Sequence, residues 1–135
     1  SKINTKSRLM AVIKGVGLDS IEIRRVEKAI ERWGDAFLNR LFTPLEIDYC
    51  LSKRKATQHF AARLAAKEAV MKSLGVGIGS VNWTDIEIEN NSSGQPEINL
   101  SGRALEISRE LKISKIYISL THNSSYGLAY TIAVE

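Results

Sequence analysis

Two carboxylates and two lysines hold most of the chemical potential of this sequence. Asp19 follows the short stretch Gly15-Val16-Gly17-Leu18. Glu68 and Lys72 lie one helical turn apart within AARLAAKEAVMKSLGVGIG, residues 61–79. Two carboxylates brought together could hold Mg²⁺, which takes one or two of them and fills its shell with water and substrate phosphate. A lysine beside such a pair could neutralise a phosphate oxygen. Each residue also has a plainer reading. Asp19 alone could complement the dipole of a following helix. Glu68 and Lys72 could form an i,i+4 pair worth about 0.2–0.5 kcal/mol on a solvated face, and periodicity alone favours that. Gly75, Gly77 and Gly79 could offer backbone N–H groups to a phosphate. They follow a helix and do not open one, so they are neither a Walker loop nor a dinucleotide fingerprint. His122 ends Ser119-Leu120-Thr121-His122 and suits a core edge, a phosphate contact or a base. His59 falls on the long helix with no role.

The elements that must position these groups read as a mixture. Met10–Leu18 is apolar and Val/Ile-containing, as a strand is, with Gly15 and Gly17 on one face so that another backbone can come close. Asp19 then sits at the mouth of a helix predicted over about 20–33, with Ile23, Val26 and Ile30 as its stripe and Gly34 as its stop. Thr43-Pro44-Leu45-Glu46 carries a capping box with proline at the first helical position. A basic turn, Lys53-Arg54-Lys55, leads into a long helix over about 56–74. Phe60, Leu64, Met71 and Leu74 form its stripe, and Lys67 falls inside it. Burying an ammonium is costly without a partner, so either the stripe ends at a pocket or Lys67 snorkels out. Ala61, Ala65 and Ala69 leave a neighbouring flank bare, with room for something beside the helix. Strands are predicted at 84–89, 97–100, 116–121 and 128–134, and a helix capped by Ser101 runs to about Lys112 with Leu105 and Leu111 among its apolar positions. The fold class is α+β, a largely antiparallel sheet packed against a long helix.

Composition bounds the rest. At 135 residues, 44% hydrophobic and 25% charged, the chain suits one domain with a real core. It divides into a polar, basic and flexible extension at 1–9 and a domain at 10–135. No apolar run is long enough to cross a bilayer and no signal peptide opens the sequence, so a cytoplasmic location is expected. Cys50 is the only cysteine, which excludes an internal disulfide. A net charge of +4 favours acidic partners without choosing among them.

Taken in order, Gly15-Val16-Gly17-Leu18-Asp19, Leu41-Phe42-Thr43 with Glu46, Arg63 through Lys72 with Lys67-Glu68-Ala69 at its centre, the tail Gly75–Gly79, Gly94-Gln95-Pro96 and Ser119–His122 resemble the short holo-[acyl-carrier-protein] synthases, a family of 4′-phosphopantetheinyl transferases. The resemblance covers about 10–134 and a single copy of the unit that larger relatives carry twice. It implies transfer of 4′-phosphopantetheine from coenzyme A to a serine of an apo acyl carrier protein, with release of adenosine 3′,5′-bisphosphate, in fatty acid biosynthesis. By the match, Asp19 and Glu68 are Mg²⁺ ligands and, with Lys72, the catalytic set. Arg54, Arg63, Lys67, Lys72, Gly75, Gly77, Ser119, Thr121 and His122 surround the coenzyme A. Lys67 either contacts it or holds Glu68 and the adjoining loop. The base for the serine stays open. The acidic carrier docks on the basic first helix through Arg24, Arg25, Lys28 and Arg32, extended by Phe37 and Arg40. Asp35 departs from the family's more basic tendency there. A homotrimer with active sites between subunits is implied, and the two N-terminal glycines would suit close strand contacts.

Two rival readings stand beside this one. A small basic nucleic-acid-binding domain would use the Lys53–Lys55 cluster but leaves Asp19 with Glu68 unexplained. A module that holds coenzyme A or a carrier without transfer would keep the fold, and the intact Asp19, Glu68 and Lys72 speak against it. Neither nucleic acid nor membrane is expected as a partner.

Overall fold

The computed structural model describes residues 12–135. The extension at 1–9 and the predicted start of the first strand lie outside them. In chain order the elements are β1 (Ile13–Glu22), α1 (Ile23–Trp33), α2 (Asp35–Leu41), α3 (Pro44–Leu51), α4 (Ala56–Ser73), a single 3-10 turn (Trp83–Asp85), β2 (Ile86–Asn90), β3 (Pro96–Leu100), α5 (Gly102–Glu110), β4 (Lys115–His122) and β5 (Tyr126–Val134). The strands form two antiparallel sheets, one with order β1-β5-β4 and one pairing β2 with β3. The mixed α+β architecture follows the pattern read from the sequence.

Helix α4 is the centre of the molecule. Of its 18 residues, 12 are buried, Arg63 and Lys67 among them, so packing surrounds it on several sides. One side lies against the three-stranded sheet. Ala65, Ala66, Ala69, Val70 and Met71 meet Ile116, Ala129 and Ala133 there, continuous with Ile86, Ile88 and Ile107. The other side holds the short helices, where Phe60 and Leu64 pack on Val26, Leu38 and Phe42.

The alanine flank does not leave space for a ligand. Ala61, Ala65 and Ala69 are fully buried, because the sheet lies directly on them. A side chain at Gly17 would collide with the Ala69 carbonyl, and one at Gly15 with that of Ser73. At Gly127 it would strike the Ala61–Ala62 backbone. The N-terminal glycines therefore seat β1 on α4, rather than against another strand. Thr131 on β5 locks the contact by donating from Oγ1 to the Ala69 carbonyl at 2.9 Å.

Three other expectations change. Strand β1 continues to Glu22, because Asp19, Ser20, Ile21 and Glu22 pair with Ala129, Leu128, Gly127 and Tyr126; the ladder outweighs the helical period of the side chains. Asp19 is thus a strand residue and no helix-dipole partner. Residues 35–41 form α2, where the sequence pattern predicts no element. Ser101 gives no side-chain cap to α5, and Leu111 at its end is 41% exposed.

Lys67 neither opens onto a pocket nor snorkels. It is fully buried and donates to Glu46 Oε1 at 2.7 Å, the Trp83 carbonyl at 3.0 Å and the Ile86 carbonyl at 2.5 Å. Burial lowers its pKa, and the Glu46 carboxylate works against that. Glu46 is equally buried. The capping box forms as expected, with Thr43 N–H donating to Glu46 Oε1 at 2.9 Å, while Oε2 accepts the Ile88 N–H at 2.9 Å. The pair therefore ties α3, α4, the 3-10 turn and β2 at one point. Lys67→Met leaves a buried carboxylate without its countercharge and is expected to cost about 3–5 kcal/mol in urea unfolding. Glu46→Gln added to it should recover part of the loss, since the uncompensated buried charge is then gone. An unchanged urea midpoint for Lys67→Met would refute this role.

Candidate functional site

Two clusters of functional side chains flank α4. In the first, Asp19 on β1 and Glu68 on α4 line a cleft of about 330 Å³ with Arg25 and Val26 of α1 and Phe37 of α2. The close seating of β1 brings the two carboxyls face to face. Burial pushes the Glu68 carboxyl up to about 8, reinforced by the neighbouring Asp19 carboxyl, while Lys72 and Arg25 oppose the rise. Asp19 is only 16% exposed in its side chain, and its Oδ2 is buried without a hydrogen-bond partner. Lys72 does not pair back to Glu68. It crosses to β1, donating to the Leu18 carbonyl at 2.8 Å and lying 3.4 Å from Asp19 Oδ1, with its side chain 55% exposed.

These groups fit a hard divalent cation. Two facing carboxyls, one with an orphaned buried oxygen and one with its pKa raised by burial and by the other, lack a countercharge that a cation would supply. Among the described residues no group of three or more His, Cys, Asp or Glu side chains could hold a metal. A cation held by Asp19 and Glu68 would keep its other positions for water or a substrate, as Mg²⁺ does.

The second cluster lines a cavity of about 270 Å³ on another side of α4. Arg63 is 2% exposed and stacks on Tyr49 of α3, with Cζ 4.0 Å from the ring centre. It donates to Asn90 Oδ1 at 3.3 Å, and its Nε has no partner. His59, one turn earlier on the same face, packs edge-on to His122 of β4 at 4.9 Å between ring centres. Thr121 lies beside them. Burial depresses the His59 pKa first, followed by the neighbouring charges of His122, Arg63 and Lys53. None of the described lining residues is acidic.

The expected coenzyme A residues thus scatter. Arg63, Thr121 and His122 come together here, and Lys72 stands by the carboxylates. Lys67 is sealed in the core with its ammonium hydrogens taken up, so it cannot face a ligand as it stands. Arg54 lies in the exposed turn before α4, and Ser119 on an exposed stretch of β4. Gly75, at φ +71°, ends α4, and Gly77 follows in the exposed loop. Of the docking set, Arg25 and Phe37 line the carboxylate cleft, while Arg24 borders a separate depression beside Tyr126. Arg32 stacks on Trp33 at 4.8 Å; Lys28 and Arg40 are exposed. Sequence reasoning missed Tyr49, Asn90 and the involvement of His59. The four-residue spacing of His59 and Arg63 was the one available signal; Tyr49 and Asn90 reach the cavity only through the tertiary fold.

A family model described as the 4′-phosphopantetheinyl transferase superfamily matches residues 15–131. The holo-[acyl-carrier-protein] synthase of Geobacter sulfurreducens is 38% identical over 122 residues, covering 90% of this chain and 97% of its own length. Among solved structures, the holo-[acyl-carrier-protein] synthase from Neisseria meningitidis matches with a TM-score of 0.83 at 32% identity, over 92% of this chain and 100% of that one. The Helicobacter pylori holo-[acyl-carrier-protein] synthase in complex with coenzyme A matches with a TM-score of 0.77, also at 32% identity, over 87% and 98%. The chain belongs to the 4′-phosphopantetheinyl transferase superfamily, as an enzyme of the holo-[acyl-carrier-protein] synthase kind. Its α+β fold is the one those structures share.

The raised Glu68 carboxyl has a measurable consequence. The folded, metal-free protein holds a proton that the unfolded chain has lost by the pH where ordinary glutamates ionise. Stability from this group is therefore present at low pH and lost as pH rises toward about 8. The melting temperature of the metal-free protein is expected to fall across that window. Mg²⁺ should restore it, most strongly at the alkaline end. Glu68→Gln should flatten this part of the profile; an equal slope in that variant would sink the assignment.

Proposed function

We propose that this enzyme moves 4′-phosphopantetheine from coenzyme A to a serine hydroxyl of an apo acyl carrier protein in a Mg²⁺-dependent reaction, releasing adenosine 3′,5′-bisphosphate, in the cytoplasm and in service of fatty acid biosynthesis. The facing Asp19 and Glu68 carboxyls beside a half-exposed lysine carry this reading. Asp19 and Glu68 would hold Mg²⁺, which would supply charge neutralisation to the pyrophosphate. The chain's own residues then position and screen. Lys72 is half free, and its ammonium can turn from the Leu18 carbonyl to a phosphate oxygen. Arg63 brings a buried positive charge with an unused N–H, suited to the phosphate end of the nucleotide, with Thr121 and His122 beside it. Arg54, in its exposed turn, Ser119 and the Gly75–Gly77 loop would reach the cofactor from outside. Positioning and charge stabilisation dominate reactions of this type.

The carrier is proposed to approach across α1 and α2. Arg25 shares the cleft with the carboxylates, so it meets an acidic partner where the serine must arrive. Arg24, Lys28, Arg32 and Arg40 present an exposed basic surface around it, and Phe37 an apolar edge. No helix among the described residues is long and apolar enough to cross a membrane. Residues 10–135 are read as the single catalytic domain.

Intact-mass spectrometry of an apo acyl carrier protein, incubated with this protein, coenzyme A and Mg²⁺, tests the reaction. One phosphopantetheine should be added, and EDTA or Glu68→Gln should abolish the gain. Arg25→Glu should raise KM for the carrier at least about tenfold, the equivalent of about 1.4 kcal/mol, while coenzyme A binding stays close to normal. No transfer to any of several carriers by the folded protein would reduce it to a binding module. An equal loss for both substrates would overturn the docking assignment.

A trimer is also proposed. The outer face of the three-stranded sheet is apolar and exposed: Val16 is 54%, Leu18 62%, Tyr117 57% and Tyr130 43% exposed. Val16 and Tyr117 flank Ile132 on one rung, so the patch is contiguous, and such patches mark contact surfaces. The separation of the two clusters around α4 also suits sites completed between copies. Sedimentation should give three times the 15.0 kDa chain mass. Val16→Glu with Tyr117→Glu should yield the single-chain mass. A monomeric, fully active wild type would refute assembly.

A further inference from the structure

A third cavity lies apart from both clusters, between β3, α5 and β4. Strand β3 runs beside β4, yet no ladder joins them: β3 pairs only with β2, and β4 only with β5. The space left between the two strand edges and the helix has a volume of about 260 Å³. Ile98 and Leu100 of β3, Leu105 of α5, Ile113 and Ile116 line it. All five are buried or half-buried, and all but Leu105 belong to the core packed on α4. Interiors leave few voids larger than a water molecule. The rim is cationic. Arg109 of α5 and Lys115 of β4 border the cavity, and no acidic residue lines it. Both are exposed, and neither makes an ion pair among the described residues. The carboxylates of α5 are engaged elsewhere, since Arg103 binds Glu106 and Glu110 at 3.1 Å each. Arg109 in the last turn also complements the dipole of α5. Lys115 opens a strand and has no such reason; its nearest charged or aromatic contact is the Tyr117 ring, 5.7 Å from Nζ to the ring centre. The remaining polar lining is satisfied within the chain. Ser108 Oγ donates to the Leu105 carbonyl at 2.7 Å, and the Ser114 N–H to the Val134 carbonyl at 2.9 Å.

We propose that this cavity binds a short-chain aliphatic carboxylate, with the alkyl chain on the Ile98, Leu100, Leu105, Ile113 and Ile116 floor and the carboxylate between Arg109 and Lys115. The chemistry of the lining selects this class. An apolar floor with no free polar atom accepts a hydrocarbon chain and gives nothing to a sugar or a base. Two cations at the mouth can share the two oxygens of one carboxylate, and they repel an alkylammonium. A second charge on the ligand would have to enter the apolar floor, at a large desolvation cost. Size limits the chain. At about 30 Å³ for each water, a cavity of about 260 Å³ takes about eight or nine heavy atoms, the size of hexanoate. A ligand seated here would touch both β3 and β4 and so tie the two sheets together where no backbone hydrogen bond does. The proposal is independent of the transfer reaction, because Asp19, Glu68, Lys72 and Arg63 do not line this cavity.

Amide NMR of the full chain, titrated at neutral pH with hexanoate, hexanol and hexylammonium, tests the site. Hexanoate should give saturable shifts centred on Ile98, Leu105, Ser108 and Ile116. Hexanol, with the same chain and no charge, should bind at least about threefold more weakly, and hexylammonium at least about tenfold. Arg109→Glu combined with Lys115→Glu changes only exposed side chains. It should weaken hexanoate about tenfold or more and reverse the preference in favour of hexylammonium. Leu105→Trp fills the cavity with both cations intact and should remove the hexanoate shifts while the rest of the spectrum stays dispersed. If that variant does not fold, the charge-reversed one decides alone. Equal affinity for hexanoate and hexanol would overturn the proposal. So would an unchanged preference after charge reversal, shifts centred on the exposed sheet face at Val16 and Tyr117, or no saturable shift at these residues.

Discussion

How near α4 can lie to the sheet fixes the geometry of everything at the carboxylate cleft. Ordinary side chains between a helix and a sheet hold the two apart. Here β1 and β5 offer glycines where α4 offers alanine and serine, and the backbones meet. The Ala69 carbonyl lies where a Gly17 side chain would be and also accepts from Thr131. Asp19 is two residues beyond Gly17, on the same strand face; Glu68 immediately precedes Ala69. Their carboxyls are therefore forced together by a contact that contains neither of them. The raised pKa of Glu68 follows from that packing, since burial is its largest cause and Asp19 the next.

The buried Glu46–Lys67 pair performs a complementary task on the opposite side of the helix. A buried ion pair is poor evidence of net stability. This one is fully engaged: Lys67 also satisfies two backbone carbonyls, and Glu46 also satisfies two backbone N–H groups. Its effect is to fix the rotation of α4 relative to α3 and β2. Lys67 and Glu68 are neighbours in the chain, so clamping one toward the core points the other away from it, toward β1. The Lys-Glu pair in Lys67-Glu68-Ala69 thus divides into an internal anchor and an outward carboxylate.

Local patterns were legible where local chemistry decides. The capping box at Thr43–Glu46, the stop at Gly75 and the alternation of β2 need only neighbouring residues, and they form as read. The family resemblance likewise rested on motif order and held over nearly the whole chain. What failed depended on distant partners. Residues 20–22 have a helical period but are held in the ladder by β5. The alanines suggest space only until the glycines opposite them are known. Lys67 seemed out of place because its partner lies 21 residues away on another helix. His59 had no apparent role because its neighbour, His122, is on a strand late in the chain.

The two clusters cannot be collapsed into one by any motion of side chains alone. Arg63 and Glu68 are five residues apart on a regular helix, which turns them about 140° from each other. The sheet repeats the separation. Asp19, Ala129 and Leu120 share one rung, so β1 and β4 lie on either side of β5, two strand spacings or about 10 Å apart. Under the proposed reaction, one coenzyme A must touch a carboxylate-held cation at its pyrophosphate and a cationic cavity at its ribose phosphate. A single copy presents these ends on different faces of α4, with the apolar outer surface of the sheet unpartnered. Joining copies through that surface covers it and can bring the carboxylate edge of one chain toward the Arg63 edge of another. On this view assembly and catalysis are one requirement, and the small residues that hold α4 to the sheet serve both.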